Sequence, residues 1–142
     1  MADGDTLTLL DSEHRQHKVR LSGIDAPERR QPYGEREKQH RAALAHGKSV
    51  MVVWSKRDRY GRIVGRVMLP HCTVSECLYT TDLGVEQLKA GLAWHYTQYA
   101  KDQPPAEGVR YAWFEQRARA KREGLWKEPV PVPPWQFRKP LA

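Results

Sequence analysis

No apolar run in this 142-residue chain approaches the roughly 18–20 residues that span a bilayer, so no transmembrane helix is read in it. Cysteine is scarce. Only Cys72 and Cys77 occur, both within HCTVSEC. A Cys-x4-Cys beside His71 is half a zinc site, and no second pair completes it. The two cysteines are read as a small disulfide loop suited to an exported protein, as free thiols, or as that half site. Repeats and a second domain are also missing, and the length fits one domain with one modest core. No signal peptide is visible ahead of MADGDT, which a trimmed start would also produce. Acids are the minority charge. There are 17 Asp+Glu against 24 Lys+Arg, a net charge of +7 at pH 7, with a pI near 9.6. That balance favours a polyanionic partner, either nucleic acid or an anionic membrane surface.

What is present reads as short strands with interleaved helices. Leu7–Leu10 and His17–Leu21 alternate like strands around the polar turn DSEHRQ. Pro32 to His46 is helix-like, with Gly47 as its stop. Ser49–Trp54 is a β-branched run and reads as a buried strand, returning through the turn KRDRYGR as Ile63–Leu69. HCTVSECLYT reads as an irregular insert, and Leu83–Ala90 as a short helix closed at Gly91. Glu107–Arg122 is the longest helical pattern, with Val109, Ala112, Trp113, Gln116 and Ala120 near one face. The tail EPVPVPPWQF reads as extended, either a docking ligand or a strap held along its own domain by Trp135 and Phe137. The sum suggests a small β-barrel with helices.

The chemistry concentrates at strand ends. DGDT sets Asp3 and Asp5 ahead of the first strand, and IDAPE sets Asp25 and Glu28 after the second. Carboxylates at neighbouring strand ends need a positive group between them, or one must take up a proton. Ca²⁺ suits such a flexible oxygen site, although DGDT lacks the further ligands of an EF-hand. The plainer alternative is a turn cap at Asp3 and Asp5 and a surface charge at Glu28. Arg20 lies on the strand leading into Asp25, and Arg62 follows Tyr60-Gly61 at the hairpin. A guanidinium fork matches phosphate oxygens and stays charged at any working pH, but either arginine alone also fits a surface salt bridge.

DGDT, RLSGIDAPE, DRYGR and GLAWHY, in that order, resemble the staphylococcal nuclease (thermonuclease) family from Asp3 to about Trp126. The resemblance implies an α+β, mainly β fold: a five-stranded Greek-key β-barrel of the OB type with three helices. It implies a nuclease domain over residues 1–128, its opening strand missing or trimmed, and a proline-rich tail over 129–142. Position by position, Asp5 and Asp25 match the carboxylates that hold Ca²⁺, and Ala26 the residue lending a backbone carbonyl. Glu28 matches the carboxylate that activates or orients the attacking water. Arg20 and Arg62 match the pair that grip the phosphate. Lys56, Arg57, Arg59 and Tyr60 would meet substrate at the hairpin. Tyr96 and Tyr99 would stack on a base or sugar, or serve structure instead; Trp94 reads as packing, and His95 as a phosphate contact or an ordinary polar residue.

The implied function is Ca²⁺-dependent, sugar-non-specific endonuclease action on DNA and RNA leaving 3′-phosphate ends, by a secreted or periplasmic monomer with no membrane partner. The alternative is a catalytically inactive OB-fold module that binds nucleic acid without cutting.

Overall fold

The protein is seen in a computed structural model that describes residues 6–96 and 103–138. Its frame is one five-stranded sheet. β1 (Thr6–Leu10) pairs antiparallel with β2 (Gln16–Leu21), and β2 pairs parallel with the start of β5 (Ile63–Cys72). β4 (Met51–Arg57) and β6 (Cys77–Asp82) both run antiparallel to β5. The long β5 serves three neighbours because it bends, with register shifts at Trp54/Lys56 and at Leu69/Pro70. Among the described residues no pairing joins β1 to β4, so the sheet does not close there into the expected barrel, and a Greek-key order is not seen. An open groove of about 910 Å³, lined by Leu7, Leu9, Ala45, Val50 and Val52, lies in that gap.

Around the sheet lie the helices α1 (Gly34–Ala45), α2 (Leu83–Lys89) and α3 (Pro105–Ala120), with a two-stranded ribbon of β3 (Ile24–Asp25) and β7 (Trp94–His95). The core gathers Val19, Leu21, Ile24, Val67, Leu83, Leu88 and Tyr111. Each such aliphatic side chain contributes about 1.5–3 kcal/mol on burial. Asp82 ties two helices to this core. Its Oδ1 accepts from the Gly84 amide at 2.8 Å to cap α2, and its Oδ2 accepts from the Tyr111 hydroxyl at 2.6 Å.

Four expectations need correcting. β4 is not a buried strand: Met51 and Val53 are exposed on one face of this edge strand, and Trp54 is exposed on the other, along the open groove beside β1. The segment around the cysteines is not irregular but a hairpin between β5 and β6, closed by a Cys72–Cys77 disulfide between register partners. Helix α3 buries Tyr111, Glu115 and Ala118, whereas Val109 and Trp113 are exposed. The periodicity was compatible with either face, and the Tyr111–Asp82 hydrogen bond selects this one. The tail is not wholly extended, since Pro134–Phe137 forms a short helix, α4, with prolines where a helix start tolerates them. Pro134 is buried, whereas Phe137 is exposed.

Candidate active site

The arginines are placed by register. Thr6, Arg20 and Val64 are partners across β1, β2 and β5, so their side chains share one face, and Arg62, two residues before Val64, joins them. The Arg20 guanidinium is buried and turns into the loop ahead of Asp25, donating to the carbonyls of Leu21 at 3.1 Å and Ile24 at 3.3 Å. Arg62 is clasped at the hairpin. Its Nε donates to Asp58 Oδ2 at 2.7 Å and its Nη1 to Thr6 Oγ1 at 3.0 Å. Nη2 has no partner among the described residues.

Asp58 also shapes the turn itself, its Oδ1 accepting from the amides of Tyr60 at 2.9 Å and Arg62 at 3.0 Å. Partial burial raises the Asp58 carboxyl pKa, but the Arg62 backbone and side-chain bonds outweigh it, leaving it below the usual carboxylate range. Gly61, at φ 80°, supplies the left-handed residue that the turn requires.

The acids are set by a second turn. Asp25 ends β3 with no exposed surface, and Ala26 and Glu28 behind it are also buried. The Glu28 amide donates to Gln31 Oε1 at 2.8 Å, and its carbonyl accepts from the Gln31 amide at 2.9 Å. Helix α1 then starts directly against this turn. A Cβ at Gly34 would run into the Glu28 carbonyl oxygen, so only glycine allows that approach. Further along α1, Arg41 pairs with Glu37 at 3.2 Å and donates to the Thr6 carbonyl at 2.7 Å, while Gln87 donates to Glu37 at 2.7 Å. These buried polar links fix α1, the start of β1 and α2 to one another.

The two carboxylates meet on a single positive group that the sequence reading did not include. Arg138, from the proline-rich tail, donates through Nη1 to Glu28 Oε1 at 2.6 Å and to Asp25 Oδ1 at 3.3 Å. Its Nη2 reaches Asp25 Oδ2 at 2.5 Å. One nitrogen touches both acids, so Asp25 and Glu28 lie within the width of one guanidinium. Burial alone lowers the Arg138 pKa, but the hydrogen bonds and charges of Asp25 and Glu28 carry it above the usual arginine range. Trp135 holds the tail there, its ring edge-on to Tyr96 at 4.7 Å and to Trp94 at 5.4 Å. The side-chain Nε2 of Gln31 donates to the Val132 carbonyl at 2.8 Å.

The profile of a family described as Staphylococcal nuclease homologue matches residues 18–128. The chain belongs to the staphylococcal nuclease family. A protein named Uncharacterized endonuclease from Escherichia coli is 39% identical over 138 residues, which is 96% of this chain and 79% of that one. A Micrococcal nuclease from Shigella flexneri is 36% identical over 137 residues, covering 96% and 76%. A Staphylococcal-like nuclease CAN1 from Arabidopsis thaliana is 38% identical over 125 residues, 88% of this chain but 34% of its own length.

In this staphylococcal nuclease relative the remaining candidates fall as follows. Arg57 donates to the Gly61 carbonyl at 3.1 Å, and Lys56, Arg59 and Tyr60 are exposed on the same hairpin. The guanidiniums of Arg59 and Arg62 lie over the Tyr60 ring at 5.0 and 5.6 Å. Tyr96 is buried with its ring on Trp135, which favours the structural side of its two readings. Trp94 packs edge-on against Trp126 at 4.6 Å, in keeping with its structural reading. The His95 amide donates to Glu115 at 2.6 Å, while its Nε2 is buried without a partner among the described residues. Asp5 and Tyr99 lie outside the described residues, as does Asp3. Among the described residues no three His, Cys, Asp or Glu side chains converge as a metal cage.

The donor set nonetheless fits a hard cation. Two buried carboxylates converge on the Arg138 guanidinium, a position that suits a positive charge.

Proposed function

We propose that the protein is a Ca²⁺-dependent, sugar-non-specific endonuclease that hydrolyses phosphodiester bonds in DNA and RNA to 3′-phosphate ends. Family membership and relatives named as nucleases support nucleic-acid cleavage at the general level. The observation that carries the finer reading is the convergence of buried Asp25 and Glu28 on one cation-sized position.

Asp5, Asp25 and the Ala26 carbonyl would hold Ca²⁺, which when bound supplies charge relief and a template for water and phosphate. Glu28 takes or orients the proton of the attacking water, a role worth on the order of 10²–10⁴ in rate. Arg20 and Arg62 meet the charge that builds on the phosphoryl oxygens; losing one such donor costs about 10²–10³-fold. The Asp58 and Thr6 bonds hold the Arg62 guanidinium, and the Leu21 and Ile24 carbonyls hold that of Arg20, before substrate arrives, so little reorganisation is needed. Lys56, Arg57, Arg59 and Tyr60 flank them as backbone contacts, with Tyr99 as a stacking ring. A readout that ignores base identity follows from gripping phosphate and sugar rather than base edges.

The five-stranded sheet supports the OB-type Greek-key barrel, whose closure the described residues do not include. Residues 1–128 are proposed as the nuclease domain, with 129–142 as a tail docked on it, acting as a monomer. The Cys72–Cys77 disulfide supports a secreted or periplasmic location, since such bonds persist in oxidising compartments. Plasmid nicking with CaCl₂ and with chelator tests the reading. Calcium-dependent nicking and linearisation are expected. Binding without cutting would instead identify an inactive nucleic-acid-binding module.

A further inference from the structure

The tail residue Arg138 occupies the position where the reading above needs a metal. Asp25 has no exposed surface and the Glu28 side chain is about one-tenth exposed, so two negative charges this close require a counter-charge. Arg138 supplies that charge from within the chain. The guanidinium meets both oxygens of Asp25 and one of Glu28, a fork geometry that a lysine could not reproduce.

The anchoring is separate from the plug. Buried Pro134, the Trp135 ring against Trp94 and Tyr96, and the Gln31–Val132 hydrogen bond hold the tail without Arg138. The Arg138 side chain itself is 37% exposed and follows the last turn of α4. It can therefore swing into solvent while the tail stays docked. A cation and this guanidinium cannot share the same carboxylate oxygens, because both need them and like charges repel.

We propose that Arg138 is an intramolecular competitor for the cation site, a latch that keeps the catalytic carboxylates paired and closed until a divalent cation displaces it. The inference rests on the calcium-dependent reading of that site. Its quantitative consequence is a lowered apparent affinity, since metal binds only the open fraction. A latch closed about nine-tenths of the time weakens apparent affinity about tenfold.

Isothermal titration of the full chain with CaCl₂ tests this, comparing the unaltered protein with Arg138→Ala and Arg138→Gln. Both variants are expected to bind calcium about 3–30-fold more tightly. Side-chain NMR of the Arg138 guanidinium in the unaltered protein is expected to show loss of its carboxylate-bonded Nη signals on adding calcium, which keeps the test alive if a variant fails to fold. Equal or weaker calcium affinity in folded variants overturns the latch while leaving the calcium reading intact. So do unchanged Arg138 guanidinium signals in protein that has bound calcium. Absence of calcium binding in every form overturns the calcium reading, and the latch falls with it.

Discussion

Replacing Asp58 by Asn swaps one carboxylate oxygen for an amide while keeping an acceptor for the turn. Oδ1 can still receive the Tyr60 and Arg62 amides, so the hairpin should keep its shape. What is lost is the charged partner of Arg62 Nε at 2.7 Å. Hydrogen bonds to charged groups contribute about 1.5–3 kcal/mol when well buried, and exposed ion pairs about 0–1 kcal/mol. Here the two side chains are 21% and 18% exposed, so the intermediate figure of about 1–2 kcal/mol applies. If that energy serves to hold Arg62 in its phosphate-gripping pose, turnover falls roughly 5–30-fold, at about 1.4 kcal/mol per tenfold. That is less than the 10²–10³-fold expected for removing the guanidinium altogether by Arg62→Ala.

The assay is single-turnover cleavage of a labelled oligonucleotide at saturating enzyme, with circular dichroism to confirm the fold. Turnover within twofold of the unaltered protein would refute the clasp as a positioning device. The pH arm has a definite sign. The folded Asp58 pKa lies below its ordinary value of 3.8, so the clasp's stabilisation is fully present above that pH and is lost as pH falls through the lower folded value.

Glu28→Gln should cut turnover about 10²–10⁴-fold while DNA affinity stays within about twofold; unaffected turnover would remove Glu28 as base. Lys56→Ala should weaken DNA binding and reduce its logarithmic salt slope by about one, whereas Arg62→Ala should act on rate at saturating substrate. Identical behaviour of the two in filter-binding and cleavage assays would erase the division between gripping and catalytic charges. Tyr111→Phe removes a buried hydrogen bond to Asp82, and urea denaturation should show a loss of about 1.5–3 kcal/mol. A loss below about 0.5 kcal/mol would mean that the Asp82 carboxylate is satisfied without it.

The catalytic candidates were legible because their chemistry depends on residue type and local spacing. IDAPE brings Asp25 and Glu28 into one turn whatever the remote fold does, and DRYGR encodes its own turn through Asp58 and Gly61. Strands and helices were legible for the same reason, from periodicity and stop signals acting over a few residues. The buried face of α3 was not, since Tyr111 and Trp113 are both plausible inward residues until Asp82 arrives from another part of the chain. The exposure of β4 likewise depends on which layers cover the sheet, and no local pattern records a missing neighbour.

Arg138 marks the same boundary most sharply. In the sequence it is one basic residue in a proline-rich tail, 113 positions from Asp25. Nothing local distinguishes it from the other cations of a chain with net charge +7. Its pairing with Asp25 and Glu28 arises because Trp135 docks on Trp94 and Tyr96, and an ion pair is set by where side chains end in space. Local sequence determined the acids and the arginines; long-range packing decided what charge meets them.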